Sequence, residues 1–255
     1  MTTPPPPENN AAHADIGIVC ALPMEIAPFL ERCEKLRKYK SDHFVFRGGR
    51  YGEIKVAIVE TGTGFAPARR ATQALIDAHS PSWILSAGFS GALQPEMKIG
   101  HIVMANDVCD VHGQELRVDI NMPANPEGGL YVGRILNTDE IVRTVDEKRQ
   151  LAEQHHALAV DMESLAVAQV CRDTQTRFLA VRVISDDMSA DLPPEVLSIL
   201  GATGTYRVGA AMGAMWKRPA AVKDLWKLRE SANFAAERLA IFLDGVVAQL
   251  YESRH

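Results

Sequence analysis

From Ile16 onward, short runs rich in Val and Ile alternate with longer segments whose apolar residues recur every three or four positions. The first pattern fits buried strands and the second amphipathic helices. Strands are expected over Ile16 to Ala21, Lys55 to Glu60, Trp83 to Ala87, His101 to Val108, Tyr131 to Leu136 and Phe178 to Ser185. Helices are expected over Met24 to Leu36, Pro67 to Ala78, Thr138 to Gln154 and Met162 to Arg172. The last of these shows no strict apolar stripe, since Leu165, Ala166, Ala168 and Cys171 point round the whole helix, and it reads as internal. Beyond Val222 the residues Leu225, Leu228, Phe234, Leu239, Phe242, Val246 and Leu250 describe one or two amphipathic helices. Strand and helix in alternation predict an α/β fold, a single domain over 15–255 with a central mixed, mostly parallel twisted sheet flanked by helices. The Gly/Ala-rich stretch LGATGTYRVGAAMGAMW, 200–216, reads as a helix or lid near a pocket or subunit contact.

Composition narrows the function classes. The net charge of −5 supplies no basic field for nucleic acid or an anionic membrane. No stretch reaches the roughly 18 to 20 apolar residues of a membrane span, and MTTPPPPENNAAHAD lacks the basic region and apolar run of a signal peptide. Residues 1–14 read as a flexible Pro-rich tail, and the chain as cytoplasmic. Cys20, Cys33, Cys109 and Cys171 have no CxxC spacing and suit reduced thiols. The histidines, His112 and the pair His155 and His156 among them, have no metal-ligand spacing. No metal or organic cofactor is expected.

Polar residues gather where the expected strands end, and the carboxyl ends of parallel strands are where ligands bind in such sheets. Four segments stand out: Ala21-Leu-Pro-Met-Glu25, SAGFSGAL over 86–93, VDMES over 160–164 and RVISDD over 182–187. GFSG lacks the GxGxxG spacing and follows the third strand, so a dinucleotide fingerprint is not supported. Its small residues Gly88 and Ser90 permit close backbone approach to a sugar or anion, or form a tight turn. Each acid also has a plain structural reading. Asp186 could cap a helix, Glu25 could be an exposed first-turn acid, and Glu163 could complement a helix dipole.

Taken together and in this order, the four segments resemble the nucleoside phosphorylase and nucleosidase family, in particular the bacterial methylthioadenosine/adenosylhomocysteine nucleosidases. The likeness runs from about Asp15 to Ser189: Ile16-Gly17-Ile18 leading to Met24-Glu25, the Gly-rich SAGFSGAL, the Met162-Glu163 pair in AVDMESLAVAQVC, and Arg182-Val-Ile-Ser-Asp186. LPPE at 192–195 and KRPAAVKDLWKL at 217–228 depart from the small nucleosidases and look like hopanoid-associated members acting on adenosylhopane-like nucleosides.

The resemblance implies a purine nucleoside substrate and a role for each residue. Asp186 would give a proton to the purine N7, holding it by partial burial. Glu163 would bind the ribose hydroxyls with Met162 against the sugar face, and Glu25 would take a proton from attacking water, helped by Arg182 and Ser185. Asp161 reads as an N-cap. Phe89 stands where the nucleosidases usually carry serine, with Ser90 one position later, so Phe89 would stack on the base or line an apolar pocket. The family's aromatic base-stacker has no counterpart in Asn137 to Ile141. Two rivals stay open. A phosphorylase would need cations around phosphate, for which Arg47, Arg50, Arg69 and Arg70 are the candidates. A nucleoside-binding sensor would keep the pocket without the chemistry. The family also implies a homo-oligomer, with a dimer expected.

Overall fold

The computed structural model describes residues 13–41, 44–120, 122–194 and 219–253. The expected Pro-rich tail, apart from its last two residues, and the stretch over 200–216 lie outside the described residues. The chain runs β1 (Ile16–Cys20), α1 (Pro23–Leu30), β2 (Glu34–Ser41), β3 (Phe44–Tyr51), β4 (Ile54–Glu60), α2 (Phe65–His79), β5 (Trp83–Ala92), β6 (Ile102–Asp110) and β7 (Glu115–Arg117). A short 3-10 turn, Pro126–Gly128, leads into β8 (Leu130–Asn137), α3 (Val145–His155), β9 (Ala159–Asp161), α4 (Ser164–Asp173), β10 (Arg177–Asp186) and α5 (Pro219–Glu252).

The α/β class holds, and the sheet is mixed. Its centre, β4–β1–β5–β10, is parallel, with Ile16 opposite both Val56 and Trp83 and Val181 opposite Ala87. Helices cover both faces, which is why these strands read as almost unbroken apolar runs. Ile16, Ile18 and Cys20 of β1 pack with Ile26 and Phe29 of α1 and Leu239 and Leu243 of α5. Val19 faces the other way, toward Ala71 and Leu75 of α2 and Ala166 and Val167 of α4. Each such buried Ile or Leu contributes about 1.5–3 kcal/mol, and together they fix the strand ends on which the site depends. Antiparallel pairing takes a larger share than the apolar pattern suggested. The strands β5, β10, β6, β8 and β9 pair in a closed circuit, with β10–β6 and β5–β9 antiparallel.

Three departures from the expected elements have clear causes. The first helix stops at Leu30 rather than Leu36, and Glu34–Ser41 forms an edge strand instead. There Lys35, Arg37, Lys38 and Lys40 are exposed, a charged edge that discourages pairing with another chain. The third helix begins at Val145 rather than Thr138, because Thr144 and Glu147 form a capping box. SAGFSGA is strand, not turn: β5 continues to Ala92 and pairs with β10 and then β9. The C-terminal apolar stripe is one 34-residue helix, on which Leu239, Val246 and Leu250 are buried while Phe234 is exposed. As expected, α4 is covered all round, from Ser164 to Cys171.

Candidate active site

Three carboxylates stand at or just beyond the carboxyl ends of β1, β9 and β10. Glu25 belongs to the first turn of α1, and its side chain reaches back to accept the Leu22 N–H at 2.8 Å, as a third-position glutamate does in a capping box. Its other oxygen accepts the Phe89 N–H of β5 at 3.0 Å. This bond across the chain, with 4% exposure, excludes the reading of a solvated helix acid. Burial pushes the Glu25 carboxyl above its ordinary value, and the Phe89 and Leu22 N–H groups and the nearby Arg182 charge pull it back. A buried carboxylate raised in this way is suited to take up a proton. Gly88 is small for a reason: a Cβ there would sit 2.9 Å from Glu25 Oε1.

Glu163 precedes α4 and is also buried. Its Oε1 accepts the Gly64 N–H at 2.7 Å, at the start of α2, where Gly64 has φ 102°. Burial first, and the neighbouring Asp161 charge second, push its carboxyl up to about 8. Near neutrality it therefore carries its proton in this structure, and it can donate to as well as accept from a ribose hydroxyl. Beside it, Met162 is half-buried.

Asp186 ends β10. Its Oδ1 accepts the Ser185 hydroxyl at 3.0 Å, and its Oδ2 pairs with the Lys148 ammonium at 2.5 Å. The side chain is partly buried, as expected, and rests in an ion pair with Lys148 rather than in an apolar pocket. The helix-cap reading is excluded, since Asp187 makes the following turn by accepting the Ser189 N–H. A cleft opens beside Asp186, lined by Ser185, Asp187, Leu192, Pro193, Pro194, Lys227 and Leu228 among others. Its walls reach Asp186 and Ser185 but do not include Glu25 or Glu163.

The expected helpers of Glu25 are used elsewhere. Arg182, only 2% exposed, pairs through Nε with Asp161 at 2.6 Å and through a terminal nitrogen with the Ser86 hydroxyl at 2.8 Å. It acts on Glu25 and Glu163 through its charge, from below. Asp161 does accept the Ser164 N–H, as an N-cap would, yet its Arg182 partner makes it the anchor of this buried pair. Ser185 sits with the acid rather than with Glu25, and also donates to the Ser90 carbonyl at 3.4 Å. Ser90 itself turns to the Val183 carbonyl at 3.4 Å. Phe89 is half-buried against the core and contributes its backbone N–H.

Lys148, Ser86 and Gly64 escaped the sequence reading. Lys148 had a signal. On α3 it shares the inward stripe of Val145, Leu151 and Ala152, a position where an unpaired ammonium would be penalised.

The phosphorylase superfamily model matches residues 15–126 and 128–203, most of the chain. The chain belongs to the phosphorylase superfamily. Within it, the chain is 26% identical over 195 residues to the 5′-methylthioadenosine/S-adenosylhomocysteine nucleosidase of Staphylococcus haemolyticus, covering 67% of this chain and 86% of that one. The enzyme of that name from Staphylococcus aureus is 25% identical over the same shares. Among solved structures, the Neisseria meningitidis nucleosidase in complex with methylthio-immucillin-A superposes with TM-score 0.70 at 19% identity, covering 92% of this chain and 98% of that one. The futalosine hydrolase of Helicobacter pylori gives 0.69 at 19% identity, with 94% and 100% covered. This superfamily member thus shares its fold with enzymes named for nucleoside cleavage. Among the described residues no helix is long and apolar enough to cross a membrane, and no group of His, Cys, Asp and Glu is placed to hold a metal.

Proposed function

We propose that this protein is a nucleosidase that hydrolyses the N-glycosidic bond of a purine nucleoside carrying a 5′ substituent and releases the free base. One observation carries the choice of water over phosphate. The Leu22 and Phe89 N–H groups, which could otherwise cradle an anion, already hold the carboxylate of Glu25. Three of the four arginines that a phosphate would recruit are also engaged: Arg47 with Glu60 at 2.6 Å, Arg50 with Glu53 at 3.2 Å and Arg69 with Asp173 at 3.7 Å. A carboxylate facing the sugar repels phosphate and suits a general base for water.

Cleavage builds positive charge on the ribose as the base leaves. Glu25 takes a proton from water attacking the sugar carbon, and Glu163 holds the ribose hydroxyls with Met162 against the ring. Asp186 passes a proton to N7, so the electron pair of the broken bond is accepted by a protonated, neutral base. Phe89 serves through its backbone N–H, which holds Glu25. The segments 192–195 and 217–228, which look like those of adenosylhopane-acting members, contribute Leu192, Pro193, Pro194, Lys227 and Leu228 to the cleft beside Asp186. A large apolar 5′ substituent rests on that likeness alone, since the cleft beside the acid also carries Arg143, Asp187, Asp191 and Lys227. A cytoplasmic homodimer is part of the same reading, carried by the family resemblance. Asp186→Asn and Glu25→Gln test the roles: each should lower kcat at least about 100-fold while the nucleoside still binds. Near-normal turnover in either variant would remove that residue from the chemistry.

A further inference from the structure

Lys148 is fully buried, yet it lies on a helix whose outward face is charged. Its ammonium has three donors, and all three point at the end of β10: Asp186 Oδ2 at 2.5 Å, the Asp187 carbonyl at 3.1 Å and the Asp186 carbonyl at 3.5 Å. None remains for a ligand. The slot that holds the pair is closed by Gly91 of β5, where a Cβ would lie 3.0 Å from Asp186 Oδ2 and 3.5 Å from Lys148 Cε. A side chain there would press on Asp186 Oδ2 and, at 3.2 Å, on Val160 Cγ1, and would just touch the lysine stem.

We propose that Lys148 is a positioning residue for leaving-group protonation, storing on its ammonium the proton that Asp186 passes to the base. This rests on the nucleosidase reading above. A carboxylate and an ammonium in contact hold one proton that can sit on either. Water favours the charged pair, and a dry, low-dielectric site penalises it. The Lys148 side chain is wholly enclosed, and Asp186 keeps 17% of its side chain exposed toward the cleft. A purine covering that remainder removes the last water, and the neutral pair of carboxylic acid and amine becomes accessible. The proton crosses from Lys148 Nζ to Asp186, and the carboxyl delivers it to N7 as the electrons of the glycosidic bond move onto the purine. Carboxylate and neutral amine are left. The amine recovers a proton from solvent, and Glu25 releases to solvent the one it took from water, so the cycle closes.

The test uses two substrates. A purine nucleoside methylated at N7 already carries its positive charge and leaves without an acid. In Lys148→Met, kcat on the unmodified nucleoside should fall about 100-fold or more with KM within about threefold, while kcat on the N7-methylated nucleoside stays within about threefold of wild type. A structural role would lower both substrates together, and that result would overturn the proposal, as would wild-type kcat on both. Gly91→Ala pushes Asp186 Oδ2 from the opposite side and leaves the lysine in place. If Lys148→Met does not fold, this variant should show the same loss confined to the unmodified substrate, and an equal loss on both would again overturn the proposal. Absence of base release by the wild-type protein would instead refute the nucleosidase reading, and the proposal with it.

Discussion

Replacing Gly88 by alanine tests how tightly the geometry of Glu25 is set. The added Cβ would lie 2.9 Å from Glu25 Oε1, 3.1 Å from Cδ and 3.2 Å from Oε2, and ordinary contact begins near 3.4 Å. The carboxylate must retreat by about 0.5 Å, because β5 is held there by its pairing with β10, Gly88 opposite Arg182. That movement stretches the 3.0 Å bond from the Phe89 N–H. A hydrogen bond to a charged group is worth about 1.5–3 kcal/mol, and misplacement of a reacting group by about 1 Å can slow a reaction about 100-fold. Gly88→Ala should therefore lower kcat by about 10- to 100-fold. It should leave KM within a few fold, since Glu163 and Asp186 are untouched. The assay is base release from the best nucleoside substrate, followed by absorbance, beside far-UV circular dichroism to show that the fold persists. A variant with native structure and wild-type kcat would show that the Glu25 position is not critical, and the general-base role would fall with it.

Two further outcomes follow from the buried charges. Glu163 has its carboxyl raised from 4.5 to about 8. Below the lower value both folded and unfolded states hold the proton; between the two only the unfolded state has released it, so folding loses stability as pH rises, with the full loss present above about 8. Glu163→Gln cannot ionise, so its stability relative to wild type should grow across that window and then level off in urea titrations. A difference that shrinks with rising pH would show that the carboxyl is not raised. Arg182→Met leaves Asp161 buried without its cation and should cost about 3–5 kcal/mol of stability. Arg182→Met with Asp161→Asn should recover part of that loss; a pair of additive losses in denaturant unfolding would mean the two residues do not act together.

Most of the fold was legible in the chain because its central strands are buried on both faces and carry uninterrupted β-branched runs. The edge strand Glu34–Ser41 was not, since its alternating charges serve solvent and negative pairing rather than a core. SAGFSGA misled for a related reason. Small residues normally signal a turn, whereas here they let β5 pass close to β10, β9 and the Glu25 carboxylate. The three candidate acids were legible through the family resemblance of the segments that carry them, since taken alone each also has a plain structural reading. Their partners were not, because what defines them is contact across long separations in sequence. Arg182 belongs to Asp161, 21 residues away, and Lys148 reaches Asp186 over 38. Lys148 on the inward stripe of α3 was the one partner with a local signature.

The most direct test of the central claim is release of free base from a set of adenosines with different 5′ substituents, methylthio, homocysteinyl and long alkyl, in phosphate-free buffer and again with phosphate added. Adenine together with a free reducing sugar, at a rate unchanged by phosphate, is the result this account predicts. A sugar 1-phosphate formed only when phosphate is present would contradict it, and would reassign Glu25 from activating water to some other task.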